Sequence, residues 1–248
     1  MSCAVIIPAR YASTRFPGKP LHLIAGKPLV QHVWERCRSC RNIGSIIVAT
    51  DDERIATAAS GFGAWVCMTS PDHQSGTDRI AEAARMLPEA THIINVQGDE
   101  PLISPQLVDE LAGRMAAHAS IGMITAVHAI NDPALLDNPN IVKCVLTRDG
   151  RALYFSRSRI PHPRGSHPSL TCWRHMGIYG FSRHFLEQFV SWEPSPLEVT
   201  ESLEQLRALE NGAAIHVVVT EHDSPGIDTP EQAREVEELI TQRLRPVK

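Results

Sequence analysis

The chain has 248 residues, of which 43% are hydrophobic and 21% charged, and its formal net charge is −4. That composition fits a globular protein of one large domain, or of one domain with a smaller appendage, and the charge gives no basic surface to recommend nucleic acid as a partner. No apolar run approaches the ~20 residues of a membrane helix, and the amino terminus MSCAVIIPARYASTR lacks a signal-peptide pattern.

The β-branched apolar run at 2–8 (SCAVIIP) predicts a buried first strand, followed by a loop rich in Arg, Ser, Thr and Gly. Apolar residues at helical spacing predict a helix over 28–40, with Pro28 in its first turn. Strands are predicted over 45–49, 64–68 and 91–96, and helices over 52–60, 78–87 and 104–118, the last capped by Ser104. This alternation implies crossover units and a mostly parallel sheet.

Beyond residue 121 the pattern changes to strand-like runs at 121–130, 141–146 and 152–155, then a polar loop at 161–168. Helices are predicted over 195–209 and 230–244, with a strand over 215–220 between them. No long linker and no repeat beyond the doubled tetrapeptide GKPL interrupts the chain. The six cysteines are scattered, and the Cys37/Cys40 CxxC has no second pair. Reduced structural thiols of a cytosolic protein are therefore expected. The histidines show no HExxH spacing, so they give no metal signal.

Open parallel sheets bind ligands at the carboxyl ends of their strands. The first strand runs into Arg10, Ser13, Thr14, Arg15, Gly18 and Lys19, groups suited to a polyphosphate, although a solvated loop has the same composition. At the end of another strand, NVQGDEP places Asp99 and Glu100 after an apolar run, where a carboxylate facing phosphates holds Mg²⁺ or simply ends a strand. Asp228, in PGIDTPEQA, is a second such carboxylate or a favourable charge ahead of a helix whose cap is Thr229 with Gln232. The loop HQSGTDR at 73–79 reads as a base or ribose contact or as a helix cap. No GxSxG or Cys/His arrangement supplies a nucleophile, which favours direct transfer between two bound substrates.

Seven stretches in order along the chain resemble one family: IIPARYASTRFPGKPL, DHQSGTDR, NVQGDEPLI, ALYFSRSRIP, RHMGIYGF, PSPLEVTESLEQLR and GIDTPE. It is the 3-deoxy-D-manno-octulosonate (Kdo) cytidylyltransferases. The resemblance implies an α/β nucleotidyltransferase fold with a mostly parallel, Rossmann-like sheet flanked by helices. It implies a cytoplasmic homodimer, with no nucleic-acid or membrane partner, that uses Mg²⁺ to make CMP-Kdo and pyrophosphate from CTP and Kdo for lipopolysaccharide.

The resemblance also implies one domain, 1–248, whose residues from approximately 1 to 120 form the CTP-binding half. Residues from approximately 121 to 248 form the sugar-binding and dimerisation half, which returns to the core at the carboxyl terminus. Carried over by position, Arg10 and Lys19 grip the CTP phosphates, Arg15 belongs to the same nucleotide-binding set and helps close that loop, and Gln74, Ser75 and Gly76 help hold the nucleotide. Asp99 and Asp228 ligate Mg²⁺ and, with Lys19, form the catalytic set. Gln97, Arg157, His175, Tyr179, Glu201 and Gln205 are the sugar contacts. Two stretches depart from the family: a short segment between Pro161 and Arg174, and EHDSP at 221–225. Lys27, in the second GKPL, is expected to be a solvated turn lysine.

Overall fold

A computed structural model describes residues 2–12, 16–164 and 171–244. The chain forms two compact units, the first made of Ser2–Asp109 with Ser224–Lys248 and the second of Glu110–Asp223.

In the first unit β1 (Cys3–Ala9) is followed by the short hairpin β2 (Leu23–Ile24) and β3 (Lys27–Pro28), then α1 (Leu29–Arg38). β4 (Ser45–Thr50), α2 (Glu53–Gly61), β5 (Trp65–Met68), α3 (Gly76–Ala84) and β6 (His92–Asn95) complete the alternation. The strands lie in the order β6-β1-β4-β5, every pair parallel. Val5, Ile6, Ile7, Ile93 and Ile94 are wholly buried, which is why these strands read as continuous apolar runs. Leu29, Val30, Val33, Trp34 and Cys37 form the buried face of α1, as their spacing predicts.

α3 begins two residues earlier than the spacing predicts. Ser75 and Asp78 form a reciprocal capping box there, and the cap sets the start. α4 (Pro105–Ala117) follows Ser104, whose hydroxyl accepts from the Leu107 amide.

The second unit contains β7 (Met123–Ala129), β8 (Lys143–Leu146), β9 (Ala152–Ser156) and β10 (Trp173–Ser182). α5 (Arg183–Phe189), α6 (Pro196–Glu201), α7 (Leu206–Glu210) and β11 (Ile215–Thr220) follow. β7 pairs with β11 in parallel and with β10 antiparallel, while β8 lies antiparallel to both β10 and β9.

The helix expected over 195–209 is two helices. Ser202 adopts a left-handed backbone (φ 52°), which ends α6 before α7 begins. β10 and α5 were not expected as elements. The register of β10 shifts between Met176 and Tyr179, so its side-chain alternation breaks mid-strand. The polar loop expected at 161–168 falls partly outside the described residues.

α8 (Pro230–Leu244) belongs to the first unit. Its Ala233 and Val236 pack with Ile227, Ile24 and Leu29 in one buried cluster, against which Phe16, Leu102 and Ile240 also pack. Fully burying an aliphatic side chain contributes about 1.5–3 kcal/mol, so this cluster ties the carboxyl-terminal segment firmly to the hairpin after β1.

Candidate active site

Because β1 and β6 are parallel neighbours, Arg10 and Asp99 both follow strand ends on the same edge of the sheet of the first unit. After β1 the chain folds back on itself: the Gly18 amide donates to the Tyr11 carbonyl at 3.0 Å, and Gly18 has φ 71°, a left-handed value suited to glycine. The next residue, Lys19, opens a 3-10 turn (Lys19–Leu21) that aims its side chain inward.

After β6 the chain passes very close to β1. A Cβ on Gly98 would stand 2.8 Å from the Pro8 carbonyl oxygen, so glycine is what lets Asp99 reach this edge. The buried cluster around Ile227 brings the third segment, and the Ile227 amide donates to the Asp99 carbonyl at 2.9 Å.

The three segments meet at one atom. Lys19 Nζ donates to Asp99 Oδ2 at 2.6 Å, to the Ile227 carbonyl at 2.8 Å and to Asp228 Oδ1 at 3.3 Å. Lys19 and the two carboxylates line a cavity of about 390 Å³, together with Arg10, Ser75, Gly76 and Gln97. Asp228 also sits where the cap pattern expects it: Gln232 Oε1 accepts from the amides of Asp228 and Thr229.

Gln74, the remaining nucleotide candidate of its loop, is exposed and donates back to the Asp72 carbonyl at 2.9 Å. Arg15 lies outside the described residues. Lys27 is exposed, but it is not merely solvated, since its ammonium pairs with both oxygens of Glu35.

Two cavity-lining residues were not singled out from the sequence. Arg79 is buried in α3 and pairs with Asp51 at 2.9 Å and with the Thr69 hydroxyl. His73 donates its ring Nε2–H to Glu82, which also accepts from the Ser70 amide. The hydrogen bond from His73, reinforced by the Ser70 amide, holds the Glu82 carboxyl below the usual carboxylate range. The signal in HQSGTDR was a basic side chain on each side of the cap, with an acid one helical turn beyond Asp78.

The other sugar candidates lie in the second unit. Glu201 accepts from the Ser156 hydroxyl at 2.6 Å and the Arg157 amide at 3.0 Å. The Arg157 guanidinium donates to the carbonyls of Glu201, Pro139 and Ser202. The wholly buried Lys143 donates to the Arg157, Ile141 and Asn138 carbonyls, and burial lowers its pKa.

Thr125 Oγ donates to the Ile178 carbonyl at 2.8 Å and lies 3.0 Å from His175 Nε2, which therefore carries the hydrogen. The His175 ring meets Phe155 edge-on and lies beside Tyr179. Burial, reinforced by the charge of Arg174, pushes its pKa down to about 3, so the imidazole is neutral. Gln205 is buried, and its amide nitrogen has no hydrogen-bond partner among the described residues.

A parallel sheet whose strand ends gather cations and paired carboxylates suits phosphoryl chemistry, and residues 4–215 match the family model described as Cytidylyltransferase. The protein is an enzyme of the nucleotidyltransferase class. It is similar to the 3-deoxy-manno-octulosonate cytidylyltransferase of Marinobacter nauticus, at 48% identity over 97% of each chain. The same-named protein of Geobacter sulfurreducens is 48% identical over 97% of this chain and 100% of its own. A solved structure described as CMP:2-keto-3-deoxy-manno-octonic acid synthetase complexed with CTP matches at 41% identity. Its TM-score is 0.93, with 98% of this chain and 100% of that one covered. The chain belongs to the 3-deoxy-manno-octulosonate cytidylyltransferase family. The expected nucleotidyltransferase fold, with a largely parallel sheet flanked by helices, is borne out. Among the described residues no helix is long and apolar enough to cross a membrane.

Proposed function

We propose that this enzyme transfers CMP from CTP to Kdo, releasing pyrophosphate and supplying CMP-Kdo for lipopolysaccharide. The observation that carries this reading is the convergence of Lys19, Asp99 and Asp228 on one cavity with Arg10, in a chain 48% identical to named Kdo cytidylyltransferases. In this reading the anomeric hydroxyl oxygen of Kdo attacks the α-phosphorus of CTP as the bond to the β-phosphate oxygen breaks. The hydroxyl gives up its proton, and pyrophosphate leaves.

Such a step needs alignment and neutralisation of charge on oxygen more than a covalent helper. Arg10 and Lys19 bind the triphosphate and offset the charge that builds on the departing pyrophosphate, with Arg15 as a further phosphate contact. Ser75 and Gly76 wall the nucleotide, Gln74 completes their loop, and Arg79 and His73 add two held basic side chains. Gln97, Arg157, His175, Tyr179, Glu201 and Gln205 are the proposed sugar contacts. The neutral His175, whose Nε2–H faces Thr125, has only Nδ1 left to accept a hydrogen bond and does not act as a cation. Approximately residues 1–120 serve CTP, and approximately 121–248 serve the sugar and the contacts of a cytoplasmic homodimer.

Two carboxylates and a backbone carbonyl converge on a single cationic atom, a hard all-oxygen donor set that fits Mg²⁺. Asp99 and Asp228 are the residues that would hold it. When bound, Mg²⁺ supplies charge neutralisation at phosphate and a lowered pKa for the sugar hydroxyl. Pyrophosphate release from CTP, assayed with and without Kdo and Mg²⁺, tests the reading: release that needs both supports it, and release indifferent to Kdo overturns it.

A further inference from the structure

Lys19 stands where a metal ion is expected. Its ammonium touches both carboxylates and the carbonyl between them in sequence, and its side chain is only 13% exposed. Asp99 and Asp228 are like charges fixed near one another, since the Ile227 backbone is bonded to Asp99 on one side and to Lys19 on the other. Without a cation they would repel, and this compact ammonium is what opposes that repulsion.

We propose that Lys19 is an exchangeable counter-cation of the Asp99–Asp228 pair, vacating those oxygens when a divalent cation takes them. The inference rests on the reading of the two carboxylates as the metal site. An ammonium 2.6 Å from Asp99 Oδ2 competes with a dication for the same lone pairs and repels it. Its flexible stem and the cavity it lines give it another place to go, toward the phosphates of a bound nucleotide. Nucleotide, by drawing the ammonium away, therefore raises the affinity of the carboxylates for metal, and the coupling is reciprocal. One side chain thereby makes metal loading wait for substrate.

The test measures Mn²⁺ binding to the nucleotide-free protein by calorimetry and by the loss of free-Mn²⁺ electron paramagnetic resonance signal. Lys19→Met should bind Mn²⁺ on the order of tenfold more tightly than wild type, the equivalent of losing one partly buried ion pair. Lys19→Arg keeps the charge and should stay near wild type. A Lys19→Met protein that binds no more tightly than wild type, while Asp99→Asn abolishes binding in both, overturns the exchange and leaves the metal site standing. Binding that Asp99→Asn does not weaken overturns the metal site and the exchange together. Circular dichroism checks that each variant is folded. An arm on wild type needs no variant: the ¹⁵N resonance of Lys19 Nζ should move when Mg²⁺ is added, and an unmoved resonance at saturating Mg²⁺ overturns the proposal.

Discussion

The Ile227 amide donates to the Asp99 carbonyl at 2.9 Å, which makes neighbours of two carboxylates more than a hundred residues apart in the chain. The Ile227 side chain is wholly buried among Ile24, Leu29, Ala233 and Val236. Its carbonyl accepts from Lys19. One residue thus spends its side chain on the core and its backbone on the site. Ile227→Ala should lower unfolding free energy by about 2–5 kcal/mol and loosen Asp228, so that the Mg²⁺ concentration for half-maximal turnover rises. Urea unfolding and Mg²⁺ titration check this. A less stable variant with an unchanged Mg²⁺ requirement would show that Ile227 does not place Asp228.

Asp99→Asn keeps the size of the side chain and removes the charge that faces Lys19. Turnover should fall by two or more orders of magnitude with the circular dichroism spectrum unchanged, the scale seen when a charge-stabilising group is lost from a preorganised site. Near-wild-type turnover at saturating Mg²⁺ would remove Asp99 from the catalytic set.

The alternating strands and helices of the first unit could be read from residue spacing, because buried parallel strands and amphipathic helices leave strong periodic marks. Lys19 and Asp99 stood out as candidates, each in a glycine-shaped loop after an apolar run, but the resemblance and not the spacing chose them over a solvated loop and a strand-ending turn. The pairing of Asp228 with Lys19 was not legible. It depends on a core cluster assembled from residues more than two hundred positions apart. The pairs of the buried Arg79 with Asp51 and of the half-buried His73 with Glu82 lie closer in the chain, but the basic side chains that flank the cap in HQSGTDR do not by themselves say which acid each one meets. β10 escaped because its register shift scrambles the alternation, and the break after α6 because it rests on one left-handed serine.

Gly98 has no room for a side chain. The methyl of Gly98→Ala would stand 2.8 Å from the Pro8 carbonyl oxygen, a backbone atom that cannot swing aside. Parting β1 from the loop after β6 should cost about 1–3 kcal/mol and shift Asp99, cutting turnover along with stability. A thermal melt and a steady-state assay check both. A variant matching wild type in each would mean that this approach does not position Asp99.

His175 gives the second unit a pH signature. Its folded pKa is near 3 and its ordinary value 6.5, so between those values the unfolded chain binds a proton that the native protein refuses. Stability attributable to this residue is therefore full above pH 6.5 and declines as the pH falls toward 3, at up to about 1.4 kcal/mol per unit. Urea midpoints measured from pH 7 to pH 4 should fall more steeply for wild type than for His175→Asn. Parallel curves would show that the imidazole is protonated in the folded protein.

The most direct test of the account is pyrophosphate release from CTP, followed with Mg²⁺ present and a panel of acid sugars supplied one at a time. The account predicts release that requires both Kdo and Mg²⁺, with CMP-Kdo formed in equal amount. Release that proceeds without an acid sugar, or that fails with Kdo and follows a different sugar, would contradict it.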